Sequence, residues 1–137
     1  MNRIIYPTPE GGVAVIIPTE SVELALKDVP TGVPYEIVTT DEIPSDRFFR
    51  GAWTMGDCCI EHDLERCKEI GHDHRRAARA AEFAPHDEVI AKQIPGKDAA
   101  EAEAARQAIR DKYAEVQASI DAAAAPEEIK AALEVTP

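Results

Sequence analysis

The spacing of hydrophobic residues changes after about residue 55, and the two parts of the chain predict different kinds of structure. In the first part, short apolar runs rich in β-branched residues alternate with proline and glycine. Residues 3–6 and 13–17 flank the turn-forming pair Gly11-Gly12, which is typical of a β-hairpin. Residues 35–39 alternate as a third strand should, and residues 22–27 predict a short helix.

In the second part, apolar residues recur at about 100° intervals around a helix axis. We expect a long helix beginning near Ile60. Its apolar stripe would consist of Ile60, Leu64, Cys67, Gly71, His74, Ala78 and Ala81. A shorter helix over residues 87–93 would end at the helix-breaking run Ile94-Pro95-Gly96.

Two more helices are predicted towards the C-terminus. One covers residues 98–120, with an apolar stripe made of Ala102, Ala105, Ile109, Val116 and Ile120 and with Tyr113 at its edge. Pro126, followed by two glutamates, is typical of a helix start. This last helix would bury Ile129, Ala132 and Leu133.

These patterns predict an α+β protein with a small antiparallel β unit over residues 1–55 and a helical segment over residues 56–137. The two long helices should form an Ala-rich antiparallel hairpin. We expect the first to contact the second through Leu64, Cys67, Gly71 and Ala78, opposite the stripe of residues 102–120. Alanine stripes bury little area, so the helical segment should dock on the β unit, on a second copy or on a partner.

Charge narrows the classes of partner. The 137 residues contain 15 basic and 26 acidic side chains, a formal net charge of −11. Such a surface repels phosphate backbones and anionic lipids, so we expect neither nucleic acid nor a membrane as partner. The N-terminal residues lack the long apolar run of a secretory signal. Three cysteines, two of them adjacent, suit a reducing cytoplasm.

Residues 58–74 contain all three cysteines and three of the four histidines, which raises the question of a metal site. The candidate ligands are Cys59, His62, Cys67 and His72. A structural zinc site needs four converging ligands, and on one helix Cys67 and His74 would lie about 10.5 Å apart along the axis. The alternative interpretation makes Cys67 a small buried residue, leaves Cys58 and Cys59 in a loop, and has His72 solvated and His74 half-buried.

Catalytic chemistry has little support in the sequence. His62 lies close enough in the chain to reach Cys58 or Cys59, but no orienting group or oxyanion hole is evident nearby. Gly11-Gly12 lacks the spacing of a phosphate-binding loop. We therefore expect a protein that is not an enzyme and that needs no cofactor.

One aromatic segment could contact a partner. Arg47, Phe48, Phe49, Arg50 and Trp53 group three of the seven aromatic residues with two arginines. One interpretation makes them a cationic and aromatic binding patch. The other places the three aromatic side chains in the core of the N-terminal unit and the arginines at its rim.

The order of features along nearly the whole chain resembles a family of small tailed-bacteriophage proteins. The segments that carry the resemblance are residues 4–18, 26–38, 46–53, 68–79, 107–111 and 122–131. The family consists of tail assembly chaperones and tail-fibre-associated proteins. The run Asp57-Cys58-Cys59-Ile60-Glu61-His62 departs from its cysteine-free pattern, which leaves room for a local function peculiar to this chain.

The resemblance implies a protein that binds a phage tail or tail-fibre protein and has no catalytic residues. Transient binding would make it an assembly chaperone in the host cytoplasm, whereas permanent binding would make it a structural component of the virion tail. Self-association is a further expectation. A small zinc-binding protein using the cysteines and histidines of residues 58–74 stays open as another alternative.

Overall fold

A computed structural model describes residues 1–134 and confirms the predicted α+β class. The chain forms two compact units: the first spans Met1–Cys67 and the second begins at Lys68. The change of composition suggested a division after residue 55. The structural division comes later because a second hairpin and the start of the long helix belong to the first unit.

The first unit contains a three-stranded antiparallel sheet. Its elements in chain order are β1 (Asn2–Pro7), β2 (Val13–Ile16), the short helix α1 (Val22–Ala25) and β3 (Glu36–Thr39). The strand order is β2-β1-β3, with Ile5 opposite both Val15 and Glu36. Gly11, at φ 84°, occupies the left-handed region that the hairpin turn requires. The predicted first hairpin and third strand are therefore confirmed.

A second hairpin, which the hydrophobic pattern did not predict, follows β3. It consists of β4 (Trp53–Met55) and β5 (Ile60–His62), paired with Met55 opposite Ile60. The prediction that Ile60 begins the long helix was wrong, because its backbone belongs to this ladder. Strands of three residues are too short to show alternation.

The core of the first unit lies on one face of the three-stranded sheet. Its buried members are Ile5, Val13, Val38, Ile43, Trp53 and Ile60, with Val15 and Met55 packed against them. Trp53 is the largest fully buried side chain of the described residues. Trp53, Met55 and Ile60 thus join the second hairpin to the first sheet.

The long helix α2 spans Leu64–Lys92. Asp63 precedes it, and its carboxylate accepts a hydrogen bond from the backbone N–H of Arg66, as an N-cap residue does. The helix runs through Pro85 without ending, so the separate helix predicted over residues 87–93 was wrong. It stops where Gln93 adopts a φ of 47°, just before Pro95 and Gly96.

The buried side of α2 is rotated from the predicted stripe. Cys67 and Gly71 are buried as expected, but the next buried position is Arg75, whereas His74 and Ala81 are exposed. The prediction of a solvated His72 and a half-buried His74 was wrong, because it is His72 whose side chain is largely covered, at 15% exposed. Polar residues such as His72 and Arg75 have apolar atoms that can be buried, and a prediction based only on apolar residues does not find them.

The second unit adds α3 (Ala99–Asp121) and α4 (Pro126–Glu134), both as predicted. Asp98 caps α3 by accepting a hydrogen bond from the backbone N–H of Ala100. Its buried side chains are Ala102, Tyr113, Val116 and Ile120, so Tyr113 lies at the centre of the buried face rather than at its edge. In α4, Ile129 and Ala132 are buried, while Leu133 is partly exposed.

Contacts between α2 and α3 confirm that the two helices are antiparallel. The start of α2 meets the end of α3 at His72 and Asp121, and its later part meets the middle of α3 at Glu82 and Lys112. These contacts are made by long polar side chains. Gly71, predicted to pack against α3, also lies against Ile129 of α4. No helix within residues 1–134 combines the length and the apolar character needed to cross a membrane.

Candidate functional site

The predicted aromatic segment lies between β3 and β4. Asp46 begins it with a carboxylate that accepts a hydrogen bond from the backbone N–H of Phe48 at 2.9 Å, an Asx-type turn. A single 3₁₀ turn, Arg50–Ala52, then leads directly into β4. The segment brings the guanidinium groups of both Arg47 and Arg50 close to the Trp53 ring.

The structure brings the aromatic rings and the arginines together, but mostly below the surface. Trp53 and Phe49 are buried, Phe48 is half-buried, and Arg47 and Arg50 are exposed. The guanidinium carbons of Arg47 and Arg50 lie 5.0 and 5.9 Å from the centre of the Trp53 ring, within the range of cation–π attraction. This arrangement corresponds to the second interpretation of the segment, in which aromatic side chains form the core and arginines its rim.

Trp53 has one unsatisfied hydrogen-bond donor. Its indole Nε1 is buried and has no hydrogen-bond partner among residues 1–134. The two arginines near the ring cannot accept this N–H, so their cation–π attraction to the ring is a separate contribution. Because Trp53 and Phe49 are buried, a partner can contact the two guanidinium groups and the exposed part of Phe48, but not Trp53 or Phe49.

A second surface of the first unit is apolar, and the sequence analysis did not single it out. Apart from Met1, the exposed large hydrophobic side chains within residues 1–134 are Ile17 (61% exposed), Leu24 (53%), Tyr35 (45%) and Ile37 (49%). Ile37 belongs to the edge strand β3, on the sheet face opposite to Val38. On that face it is paired with the buried Ile4, which is paired in turn with Ile16.

We define the edge surface as Tyr35 and Ile37, at the β3 edge of the sheet. Ile17 and Leu24 belong to a separate shallow groove, lined also by Ile16 and Ser21, which follows β2 at the opposite edge strand and lies at the start of α1. The outer side of β3 is also a sheet edge, where backbone groups are available to another strand. The sequence signal that could have located the edge surface is the apolar pair Ile37-Val38, because adjacent strand residues lie on opposite faces of the sheet.

The four alternative zinc ligands are not gathered. Cys59 is in the loop between β4 and β5, His62 is on β5, and Cys67 is fully buried. His72 belongs to the second unit. Within residues 1–134, no three histidine, cysteine or acidic side chains come close enough together to hold a metal ion.

Both ring nitrogens of His72 are already used. Arg75 Nε donates a hydrogen bond to His72 Nδ1 at 3.3 Å, so Nε2 carries the proton and donates to Asp121 Oδ1 at 2.8 Å. Arg75 itself is buried, and burial together with Arg76 and Arg79 lowers the pKa of its guanidinium. This side-chain array links α2 to α3, and the sequence pattern gave no indication of it.

A second polar cluster in the same unit surrounds Glu82. Both of its carboxylate oxygens accept hydrogen bonds from Lys112 Nζ at 2.7 Å, and one also accepts from the Tyr113 hydroxyl at 2.9 Å. The bond from Lys112 lowers the pKa of Glu82. Burial, followed by the bond to Glu82, raises the pKa of Tyr113 to about 12. Because every polar group in this cluster has a partner, it suits helix pairing rather than catalysis.

The adjacent cysteines do not have the properties of an activated nucleophile. Cys58 and Cys59 place their Sγ atoms 3.9 Å apart. The hydrogen bond to Cys58, and then its charge, raise the pKa of the Cys59 thiol. A raised pKa reduces the thiolate fraction at neutral pH, which is the reactive form.

No protein-family model, no curated protein and no solved structure matches this chain.

Proposed function

We propose that this protein is a non-enzymatic binding protein that associates transiently with a phage tail or tail-fibre protein, as an assembly chaperone does. The proposal joins two lines of support. The order of segments along the chain resembles that family, and the edge surface offers an apolar, strand-edged contact site. The edge surface is the observation on which the binding part of the proposal rests.

The edge surface suits an extended segment of a partner. An exposed edge strand can accept a further strand through main-chain hydrogen bonds, and alternate side chains of the added strand can then meet apolar residues on one face. Ile37 and Tyr35 provide such contacts at β3 itself. Ile17 and Leu24 offer a second, separate apolar contact in the groove at α1.

The size and charge of this surface favour transient binding. Two exposed side chains at the β3 edge offer only a small apolar contact, whereas permanent complexes bury large apolar interfaces of about 2,000 Å² or more. The first unit is also acidic, because Met1–Cys67 contains five basic and twelve acidic side chains, a net charge of −7. This negative charge should speed association with a partner that has a basic surface, and the attraction should become weaker as salt is added.

Arg47 and Arg50 are a second candidate contact within the same proposal. Their guanidinium groups are exposed and held over Trp53. They would pair with a carboxylate of the partner, while Phe49 and Trp53 support them from the core.

The test is co-expression with candidate tail and tail-fibre proteins, followed by affinity capture. Ile37→Asp should abolish capture if the edge surface binds the partner. Ala104→Asp is the matched control, since it adds the same charge at an exposed position of α3. Arg47→Ala with Arg50→Ala tests the second contact separately. Capture of the same partner by Ile37→Asp at wild-type yield would contradict the proposed surface.

Quantitative mass spectrometry of purified particles separates the chaperone from a structural component. A chaperone should be present in infected cells and absent from particles. A fixed stoichiometric ratio to a known tail protein would overturn the transient role and identify a component of the virion tail.

A further inference from the structure

The loop between β4 and β5 holds two thiols in a defined geometry. Met55 and Ile60 are paired at its base. The backbone N–H of Gly56 donates to the carbonyl oxygen of Cys59 at 2.8 Å and so closes the turn. Within that closed turn, the Sγ atoms of Cys58 and Cys59 lie 3.9 Å apart.

Both thiols are free, and the pair can be reached from solvent. Cys58 is exposed and Cys59 is half-buried, in contrast to the third cysteine, Cys67, which is fully buried. A reagent in solution therefore meets two adjacent sulfur atoms at the tip of a hairpin. Cys67 provides an internal comparison within the same chain.

A direct bond between the two sulfurs is disfavoured by the chain geometry. Consecutive Cα atoms are about 3.8 Å apart across a trans peptide, whereas unstrained disulfides join Cα atoms roughly 4.4–6.8 Å apart. A disulfide between adjacent residues would therefore be strained and easily reduced. The pair is better suited to remain a dithiol.

The same spacing fits a single atom bound between the sulfurs. With bonds of about 2.3 Å from sulfur to a bridging metal, a separation of 3.9 Å corresponds to an angle of about 116° at that atom. This angle lies between tetrahedral and trigonal values. A linear two-coordinate ion would need the sulfurs about 4.6 Å apart, twice the same bond length.

We propose that Cys58 and Cys59 form a two-thiol chelating site for a soft, thiophilic centre, namely a trivalent arsenical or a soft metal ion of trigonal or tetrahedral preference. Soft thiolate ligands select soft ions over hard ones. The site does not depend on the partner-binding function proposed above.

The surroundings favour a ligand that displaces protons over one that carries negative charge. The Glu61 side chain lies over Gly56, where a Cβ on the glycine would stand only 2.5 Å from the Glu61 Cδ. The charges of Glu61 and Glu36 act on Cys59, after the larger effect of Cys58, to raise the pKa of its thiol.

The reaction with the probe phenylarsine oxide balances without any oxidant. The arsenic–oxygen bond breaks and two arsenic–sulfur bonds form, one to Cys58 and one to Cys59. The two thiol protons leave with the oxygen as one molecule of water. No atom changes oxidation state.

The test is native mass spectrometry of the full chain with phenylarsine oxide in the presence of excess monothiol. Wild type and Cys67→Ala should each retain one arsenical per chain, and a small dithiol should remove it. Cys58→Ser and Cys59→Ser should each bind at least tenfold more weakly, since a single thiol cannot compete with the excess monothiol. Circular dichroism checks that the serine variants keep the wild-type fold.

Two results would overturn the inference. One is retention of the arsenical by Cys58→Ser at the wild-type level, which would place it elsewhere. The other is its loss from folded wild type to excess monothiol alone, which would show that the two sulfurs do not act together.

Discussion

At the scale of single residues, Gly71 shows how closely the second unit is packed. A Cβ placed on it would lie 2.6 Å from Ile129 Cγ2 and 3.6 Å from Ile120 Cγ2. Ile129 is fully buried and branched at Cβ, so that methyl group cannot turn away freely. Glycine is therefore required for α4 to approach α2.

We predict that Gly71→Ala destabilises the protein. Overpacking costs about 1–3 kcal/mol, and the better helix propensity of alanine returns up to about 1 kcal/mol. Urea unfolding followed by circular dichroism should therefore show a net loss of roughly 1–2 kcal/mol. The control is the same substitution made in an Ile129→Ala background, because without the branched side chain of Ile129 the change Gly71→Ala should cost less than it does in wild type. A stability equal to or above wild type in Gly71→Ala alone would contradict the close approach.

Tyr113 gives a pH-dependent prediction. The pKa of its hydroxyl is raised to about 12 in the folded chain from the ordinary value of 10.0. Between these values the unfolded chain loses the tyrosine proton while the folded chain keeps it, so the unfolding free energy should fall as pH rises through this window. The contribution of Tyr113 is fully present below pH 10.

The measurement is the unfolding free energy of wild type and Tyr113→Phe from neutral pH to pH 12. At neutral pH the variant should lose about 1 kcal/mol, because the hydrogen bond to Glu82 is gone. It should also lack the alkaline decline that Tyr113 causes. Parallel pH profiles in the two proteins would refute the assignment.

At the scale of elements, the hydrophobic pattern predicted those that are long or have clear end signals. The hairpin with Gly11-Gly12, the strand Glu36–Thr39 and the helices capped by Asp98 and begun by Pro126 all have such signals. The strands Trp53–Met55 and Ile60–His62 have only three residues each, and only their pairing and the burial of Trp53 reveal them.

The candidate sites followed the same logic. Grouping Arg47, Arg50 and Trp53 in sequence was enough to predict their proximity, and one of its two interpretations already placed Trp53 in the core with the arginines at its rim. The edge surface went unnoticed because the exposure of Ile37 depends on the position of β3 at the sheet edge. Sequence alone places a residue on a face but does not say which faces are covered.

The effect of Pro85 was not predicted correctly from the sequence, because α2 continues through this proline. A proline inside a helix removes one hydrogen bond and costs about 3 kcal/mol. The helix nevertheless continues, and beyond the proline Asp87 Oδ1 lies 2.9 Å from Arg106 Nε of α3. Contacts between helices therefore hold the last turns of α2 in place.

We predict that Pro85→Ala stabilises the protein by roughly 1–3 kcal/mol, since the N–H of residue 85 is restored to the helix. Pro85→Gly restores the same N–H but should gain about 1 kcal/mol less, because glycine has poor helix propensity. Urea unfolding of all three proteins separates the two effects. A loss of stability in both variants would mean that the proline ring itself is required.

At the scale of the whole molecule, charge dominates. The net charge of −11 sets 26 acidic against 15 basic side chains, so distant like charges repel each other. Opposite charges also meet at close range, as between Lys92 Nζ and Glu88 Oε1 at 2.6 Å and between Arg76 and Asp73 at 2.7 Å. Added salt weakens both kinds of interaction, and the distances decide which effect is larger.

The screening length falls from about 30 Å at 0.01 M salt to about 8 Å at 0.15 M. Salt at 0.15 M therefore largely removes the repulsion between charges that are tens of ångströms apart. Ion pairs with charged atoms less than 3 Å apart lie well inside the screening length and are weakened less. Exposed ion pairs also contribute little to stability at either salt concentration, about 0–1 kcal/mol each. We therefore predict that the urea midpoint rises when sodium chloride is added over this range. Thermal unfolding at the same salt concentrations gives an independent check. A midpoint that falls with salt would mean that the close pairs, not the overall negative charge, determine how this fold responds to its ionic surroundings.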